Sequence, residues 1–154
     1  MESIRFTVDT NIEIWEFIDK TTEHILVHNF QAHNILEWWE STIKLSPTKT
    51  LENIKVRNMQ FDIQTNISGL KQILEHESNF LDIYQFNKPI SDTLVIDALP
   101  NNNAETILMQ NGLQYIISVD FESITVSSVR PDFIKSISEN PKFADRIKYN
   151  SLDK

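Results

Sequence analysis

Two glycines in 154 residues, Gly69 and Gly112, leave this chain few places where the backbone can turn left-handed or let a ligand approach it closely. Phosphate-cradling loops, dinucleotide-binding fingerprints and the G-x-S-x-G nucleophile elbow each need several glycines close together, and none can be written here. Cysteine is absent as well, which excludes disulfides, thiolate zinc sites, iron–sulfur clusters and cysteine nucleophiles together. Any function must therefore come from ordinary side chains set on regular elements.

The first residues alternate Ile4, Phe6 and Val8 against Ser3, Arg5 and Thr7, the pattern of a half-buried strand and not of a secretory leader. Apolar runs reach only three residues, as in Ile25-Leu26-Val27, far short of the roughly 18 that cross a bilayer. These features predict a cytoplasmic protein without membrane contact. From Thr10 to Ser46 there is neither Gly nor Pro, and Thr10-Asn11-Ile12-Glu13 has the form of a capping box. Ile14, Ile18, Ile25, Ala32, Leu36, Trp39 and Ile43 then fall on one stripe at 100° per residue. Two N-terminal helices follow from this pattern, with a strand over His24 to Phe30 as the alternative.

After Pro47 the period becomes two, with Ile54 and Val56 on one parity and Met59, Phe61 and Ile63 on the other, so a turn or bulge is expected near Arg57-Asn58. Leu70, Ile73 and Leu74 mark a short helix within Ser68 to Glu77. Strands are expected at Phe80 to Phe86 and Thr93 to Leu99, around a turn at Asn87-Lys88-Pro89. Asn111-Gly112 is a strong hairpin signal between Glu105–Gln110 and Leu113–Val119. The alternative there is a helix from Asn103 that ends at Gly112. Ser123 to Val129 continues the meander, and Pro131 and Pro141 each open a short C-terminal helix. The whole reads as one α+β domain over residues 1–154, with N-terminal helices packed on a mainly antiparallel sheet and short C-terminal helices.

Charge narrows the function. With 14 Lys+Arg against 22 Asp+Glu the formal charge is −8, which repels phosphate polymers and argues against direct nucleic-acid binding. Residues 1–50 hold eight acids and four bases, so a cationic partner should prefer the N-terminal part. His24 and His28 are spaced i, i+4, as two metal ligands on a helix would be, yet no third ligand is placed by the sequence and His33 points elsewhere. Asp62, Asp82 and Asp97 suggest acids on neighbouring strands, and Glu75-His76-Glu77 a solvated helix end. None makes a catalytic pattern, and no cofactor or metal is expected. The basic residues Arg130, Lys135, Lys142, Arg146 and Lys148 read as partners of helix dipoles and nearby acids.

Trp38 is the most telling side chain. It points roughly 120° from the stripe of Ala32, Ile35, Leu36, Trp39 and Ile43, and shares its side with Asn34 and Ser41. An indole on a polar helix face is either covered by its own domain or an anchor for a partner. Trp15, at the edge of its own stripe, belongs to the core. The expectation is a non-enzymatic inhibitor of the immunity-protein, antitoxin or phage anti-defence kind, binding a basic protein such as a toxin or nuclease through Trp38, Asn34, Glu37, Glu40 and Ser41. An acidic dimeric chaperone or adaptor is the alternative, and a metal-dependent hydrolase using His24 and His28 a further one.

Overall fold

In β1 (Glu2–Thr7), Ile4 and Phe6 are fully buried and Arg5 between them is exposed, as one core-facing side of a strand requires. The structure is a computed structural model that describes residues 1–7, 11–30, 51–57, 60–75, 80–91, 94–120 and 123–153. Helix α1 (Asn11–Ile14) runs into a 3-10 turn at Trp15–Phe17 and stops at Ile18, whose ψ of 130° is extended. Thr10, the expected cap, lies outside the described residues.

The N-terminal helices are the main correction. Instead of a helix, His24–Phe30 forms strand β2, the alternative reading of that stretch. Two local causes are visible. The Asp19 carboxylate accepts hydrogen bonds from the Thr21 amide at 3.0 Å and hydroxyl at 2.6 Å, a turn that competes with helix bonding. Ile25 and Val27, which a helix would point about 200° apart, share one strand face and are both fully buried. The stripe beyond Phe30, residues 31–50, falls outside the described residues.

Strands β3 (Leu51–Arg57) and β4 (Gln60–Thr65) pair with Val56 opposite Phe61 and Arg57 opposite Gln60, so the two parities meet in one register, and residues 58–59 between them lie outside the described residues. In helix α2 (Ile67–Leu74) the Asn66 side chain accepts from the Gly69 amide at 3.0 Å, capping it, and Leu70, Ile73 and Leu74 are buried as read. β5 (Phe80–Phe86) keeps both expected ends. The strand expected to run to Leu99 is replaced by a 3-10 turn at Ile96–Ala98.

The Asn111-Gly112 hairpin is also corrected. Ala104–Gln110, rich in good helix formers, is helix α3, and Gly112 ends it with φ of 91°. The Gly112 amide donates to the Met109 carbonyl at 3.0 Å, and the chain passes straight into β6 (Leu113–Asp120). β7 (Ser123–Ser128) and α4 (Pro131–Ser138), with Pro131 in the first turn, match expectation. After Pro141 there is only a 3-10 turn at Ala144–Arg146, and the expected second C-terminal helix gives way to strand β8 (Ile147–Asn150).

The eight strands of the described residues form one antiparallel sheet in the order β3-β4-β2-β5-β6-β7-β1-β8. One register line across six strands, Ile63-Val27-Ile83-Ile117-Val126-Ile4, is fully buried. This inner face packs on α1, α2 and α4, and Phe6, Phe17 and Phe143 meet there with ring centroids 4.8 to 5.6 Å apart. The outer face is covered in part by the segment 87–112, through Leu108, Ile90, Leu94, Ile96 and Leu99 against Leu26, Tyr84 and Ile116. The class is thus α+β, arranged as strands first with helices on both faces.

Gly112 gives a test of the corrected turn. A Cβ there would lie 2.8 Å from the Lys88 Cγ and meet the Asn87 side chain, in a backbone conformation that resists side chains. Gly112→Ala should cost about 1–3 kcal/mol and Gly112→Val more, read as a lowered thermal midpoint.

Candidate functional site

Because side chains alternate, the fully buried inner line fixes its neighbour on the outer face. That neighbouring line is His28-Asp82-Ser118-Thr125-Arg5-Tyr149, one residue from each of β2, β5, β6, β7, β1 and β8. It is polar throughout. Exposure grades along it: His28 is 3% exposed, Asp82, Ser118 and Thr125 are half-buried, and Arg5 and Tyr149 are exposed. The His28 ring stands edge-on to Tyr84 at 6.4 Å, in the line beside it.

Burial pushes the Asp82 carboxyl above the ordinary carboxylate range, while the Ser118 hydroxyl, which donates to it, and the nearby His28 pull it back in part. The order of the three groups decides what they can do. In nucleophilic catalysis the imidazole stands between hydroxyl and carboxylate. Here the carboxylate is in the middle, and Ser118 lies two strands from His28, about 10 Å, beyond direct proton transfer. The amides of these central strands are committed to ladders, so they offer no oxyanion donors.

The inner face has its own polar end. Gln85, fully buried, holds the turn before β2 with both arms: its Oε1 accepts from the Asp19 amide at 3.3 Å and its Nε2 donates to the Asp19 carbonyl at 3.0 Å. Although burial opposes it, hydrogen bonds from Thr21 hold the Asp19 carboxyl below its usual range. Burial pushes the Tyr115 phenol up, with Arg130 beside it as a hydrogen-bond partner. This cluster pins a turn to the sheet.

The residues singled out in the sequence separate in space. His24 and His28 are four strand residues apart, about 13 Å, so the spacing that suits an ion on a helix fails on β2. His33 and His76 lie outside the described residues, and so do all five of Trp38, Asn34, Glu37, Glu40 and Ser41. Asp62 is on β4 opposite Lys55, Asp82 is on β5 with β2 between them, and Asp97 is in the 3-10 turn. Among the described residues, no three His, Asp or Glu are grouped to hold a metal ion. Trp15 packs against the core, with the Lys20 ammonium 5.0 Å from its ring centre.

Four of the C-terminal cations are tied to acids, while Lys148 stands exposed on β8. Arg130 meets Asp132 at 2.8 Å, Lys135 meets Glu139 at 3.7 Å, Lys142 meets Glu16 at 2.5 Å, and Arg146 grips Glu13 at 3.1 and 3.2 Å. No protein-family model, curated protein or solved structure matches the chain.

Two tests follow from this chemistry. The folded Asp82 carboxyl titrates above its unfolded value, so it destabilises the fold once pH has risen past both. Asp82→Asn should therefore melt higher than the parent at neutral pH, and urea titrations should show the gain shrinking as pH falls toward the ordinary carboxylate range. The Arg146–Glu13 pair is mostly shielded and doubly bonded. Arg146→Ala should lower unfolding free energy by about 2 kcal/mol in the same assay.

Proposed function

We propose that this chain is a non-enzymatic, acidic protein-binding inhibitor of the immunity-protein, antitoxin or phage anti-defence type, acting in the cytoplasm on a basic protein partner. The observation that carries the reading is the disposition of charge. Arg130, Lys135, Lys142 and Arg146 are each paired with a carboxylate, and the Met1 amine with Glu105. Glu23, Glu75, Asp120, Asp145 and Asp153 stand exposed outside those pairs, as do Arg5, Lys20, Lys71, Lys88 and Lys148. The excess of acids over the whole chain, net −8, supports the reading, because it steers a cationic partner and discourages nucleic acid. The His28-Asp82-Ser118 order, unsuited to nucleophilic catalysis, is consistent with a binding role. Among the described residues no helix is long and apolar enough to cross a membrane.

Trp38 is the proposed anchor, with Asn34, Glu37, Glu40 and Ser41 around it. Charge then sets the rate of encounter and the indole the lifetime of the complex. With the partner recovered from the native host, Trp38→Ala should weaken binding by at least about 2 kcal/mol. Glu37→Lys and Glu40→Lys should chiefly slow association and flatten its salt dependence, measured by surface plasmon resonance. A partner bound equally well at low and high salt overturns this reading.

One observation favours the adaptor alternative. Val95 and Met109, at 48% and 45% exposure, present apolar side chains from the outer layer. Recovery of only apolar peptides or of a second copy of the chain, by light scattering and pull-down, would establish it instead.

A further inference from the structure

Arg5 differs from the paired C-terminal cations Arg130, Lys135, Lys142 and Arg146. It sits at the centre of the β1 outer face, and its closest neighbours on that face are hydroxyls. Ser3 and Thr7 flank it along β1, Thr125 is directly opposite on β7, and Ser123 and Ser127 are diagonal to it. Tyr149 of β8 faces it from the other side. Neighbours of this kind stand about 5–7 Å apart, within reach of a long side chain. None of these positions is a carboxylate. Among the described outer-face positions of the sheet the nearest acids are Asp120, two strands from Arg5 but directly opposite Ser123, and Asp82, three strands away, while Glu105 of the outer layer is held by the Met1 amine.

We propose that Arg5, with the hydroxyls of Ser3, Thr7, Thr125 and Ser127, is a receptor for a phosphate monoester. The guanidinium is planar, always charged and suited to two parallel hydrogen bonds to a phosphoryl group. The hydroxyls supply the remaining donors. Ser3 and Ser127 share one hydrogen bond, 2.8 Å between oxygens, which uses one of their two protons and leaves the other to donate outward. The outer layer reaches the line of Leu26, Tyr84 and Ile116, which continues into Ser127 and Ser3, so the receptor lies beside the foot of that layer.

The protein's negative charge does not forbid this. Two strands is about 10 Å, already past the ~8 Å over which salt screens charges at physiological strength. The local cation and donors therefore outweigh the distant acids. Immediately around Arg5 the face places a single cation among hydroxyls. The inference is independent of the partner-binding reading.

The test is a titration of the whole chain, labelled with nitrogen-15, at physiological salt. The probes are inorganic phosphate, O-phosphoserine and adenosine 5′-monophosphate. Saturable shifts of the Arg5 side-chain Nε–H and of β1 and β7 amides are expected. Arg5→Ala should weaken binding tenfold or more. Arg5→Lys, a point charge without the fork, and Thr125→Val, lacking one hydroxyl, should each weaken it several-fold. Arg5 is exposed, so its variants should keep the parent's melting temperature. Equal affinity for all three probes assigns the site to the phosphoryl group alone, and tighter binding of either ester assigns it to that ester's class. Absence of saturable shifts in the millimolar range, shifts that persist in Arg5→Ala, or binding seen only without salt, as for an adventitious ion only, would each overturn the proposal.

Discussion

β2 carries hydrogen-bond ladders on both edges, to β4 through Ile25, Leu26 and Val27 and to β5 through His24 to His28. Among the described strands it alone joins the β3–β4 hairpin to the run β5-β6-β7-β1-β8. Each ladder bond contributes only about 1 kcal/mol net, but a buried amide or carbonyl left without one costs more. Loss of β2 would strip partners from β4 and β5 together. It would also remove Ile25 and Val27 from the inner core, so burial and pairing fail as one unit.

The same register dictates the chemistry of the opposite face. Once Val27 is set against Ile83 in the core, His28 must stand opposite Asp82 on the other side, because successive residues point to opposite faces. Burying a carboxyl there is unfavourable. The Ser118 hydroxyl and the His28 ring lessen that cost without removing it, which is why the carboxyl stays above its ordinary range. The pair thus sits in the middle of the sheet as a consequence of alignment, and its usefulness for catalysis is limited by the order in which the strands deliver the groups.

Local elements were legible in the sequence wherever one signal had no competitor. Ile4 and Phe6 marked β1, the helical spacing of Leu70, Ile73 and Leu74 marked α2, Asn87-Lys88-Pro89 closed β5, and Pro131 opened α4. The failures occurred where two periods fitted the same letters. Ile14, Ile18 and Ile25 satisfy a 3.6-residue stripe, and nothing near them reveals that Ile25 will be held between Thr65 and Gln85. Asn111-Gly112 suits both a hairpin and a helix end, and Ala104 to Gln110 decided in favour of the helix. The helical spacing read for His24 and His28 fails for the same reason, since their separation depends wholly on whether the backbone rises by helix or strand. The Arg5 surroundings were hidden more deeply, because Thr125 and Tyr149 become its neighbours only through pairing between distant parts of the chain.

Net charge and local charge answer different questions in this molecule. A nucleic acid must release counterions at several phosphates to bind firmly, so it needs a run of free cations. Arg130, Lys135, Lys142 and Arg146 do not provide one, since Asp132, Glu139, Glu16 and Glu13 already hold them. A single phosphoryl group needs one fork and a few donors at ladder distance, a scale of about 5–7 Å on which the overall −8 has little influence. The outer face of β1 and β7 meets that smaller demand with side chains that β-strands favour in any case, Thr above all. The two demands differ in the number of cations each requires, so a surface that offers no run of cations to a phosphate polymer can still suit a single phosphate monoester.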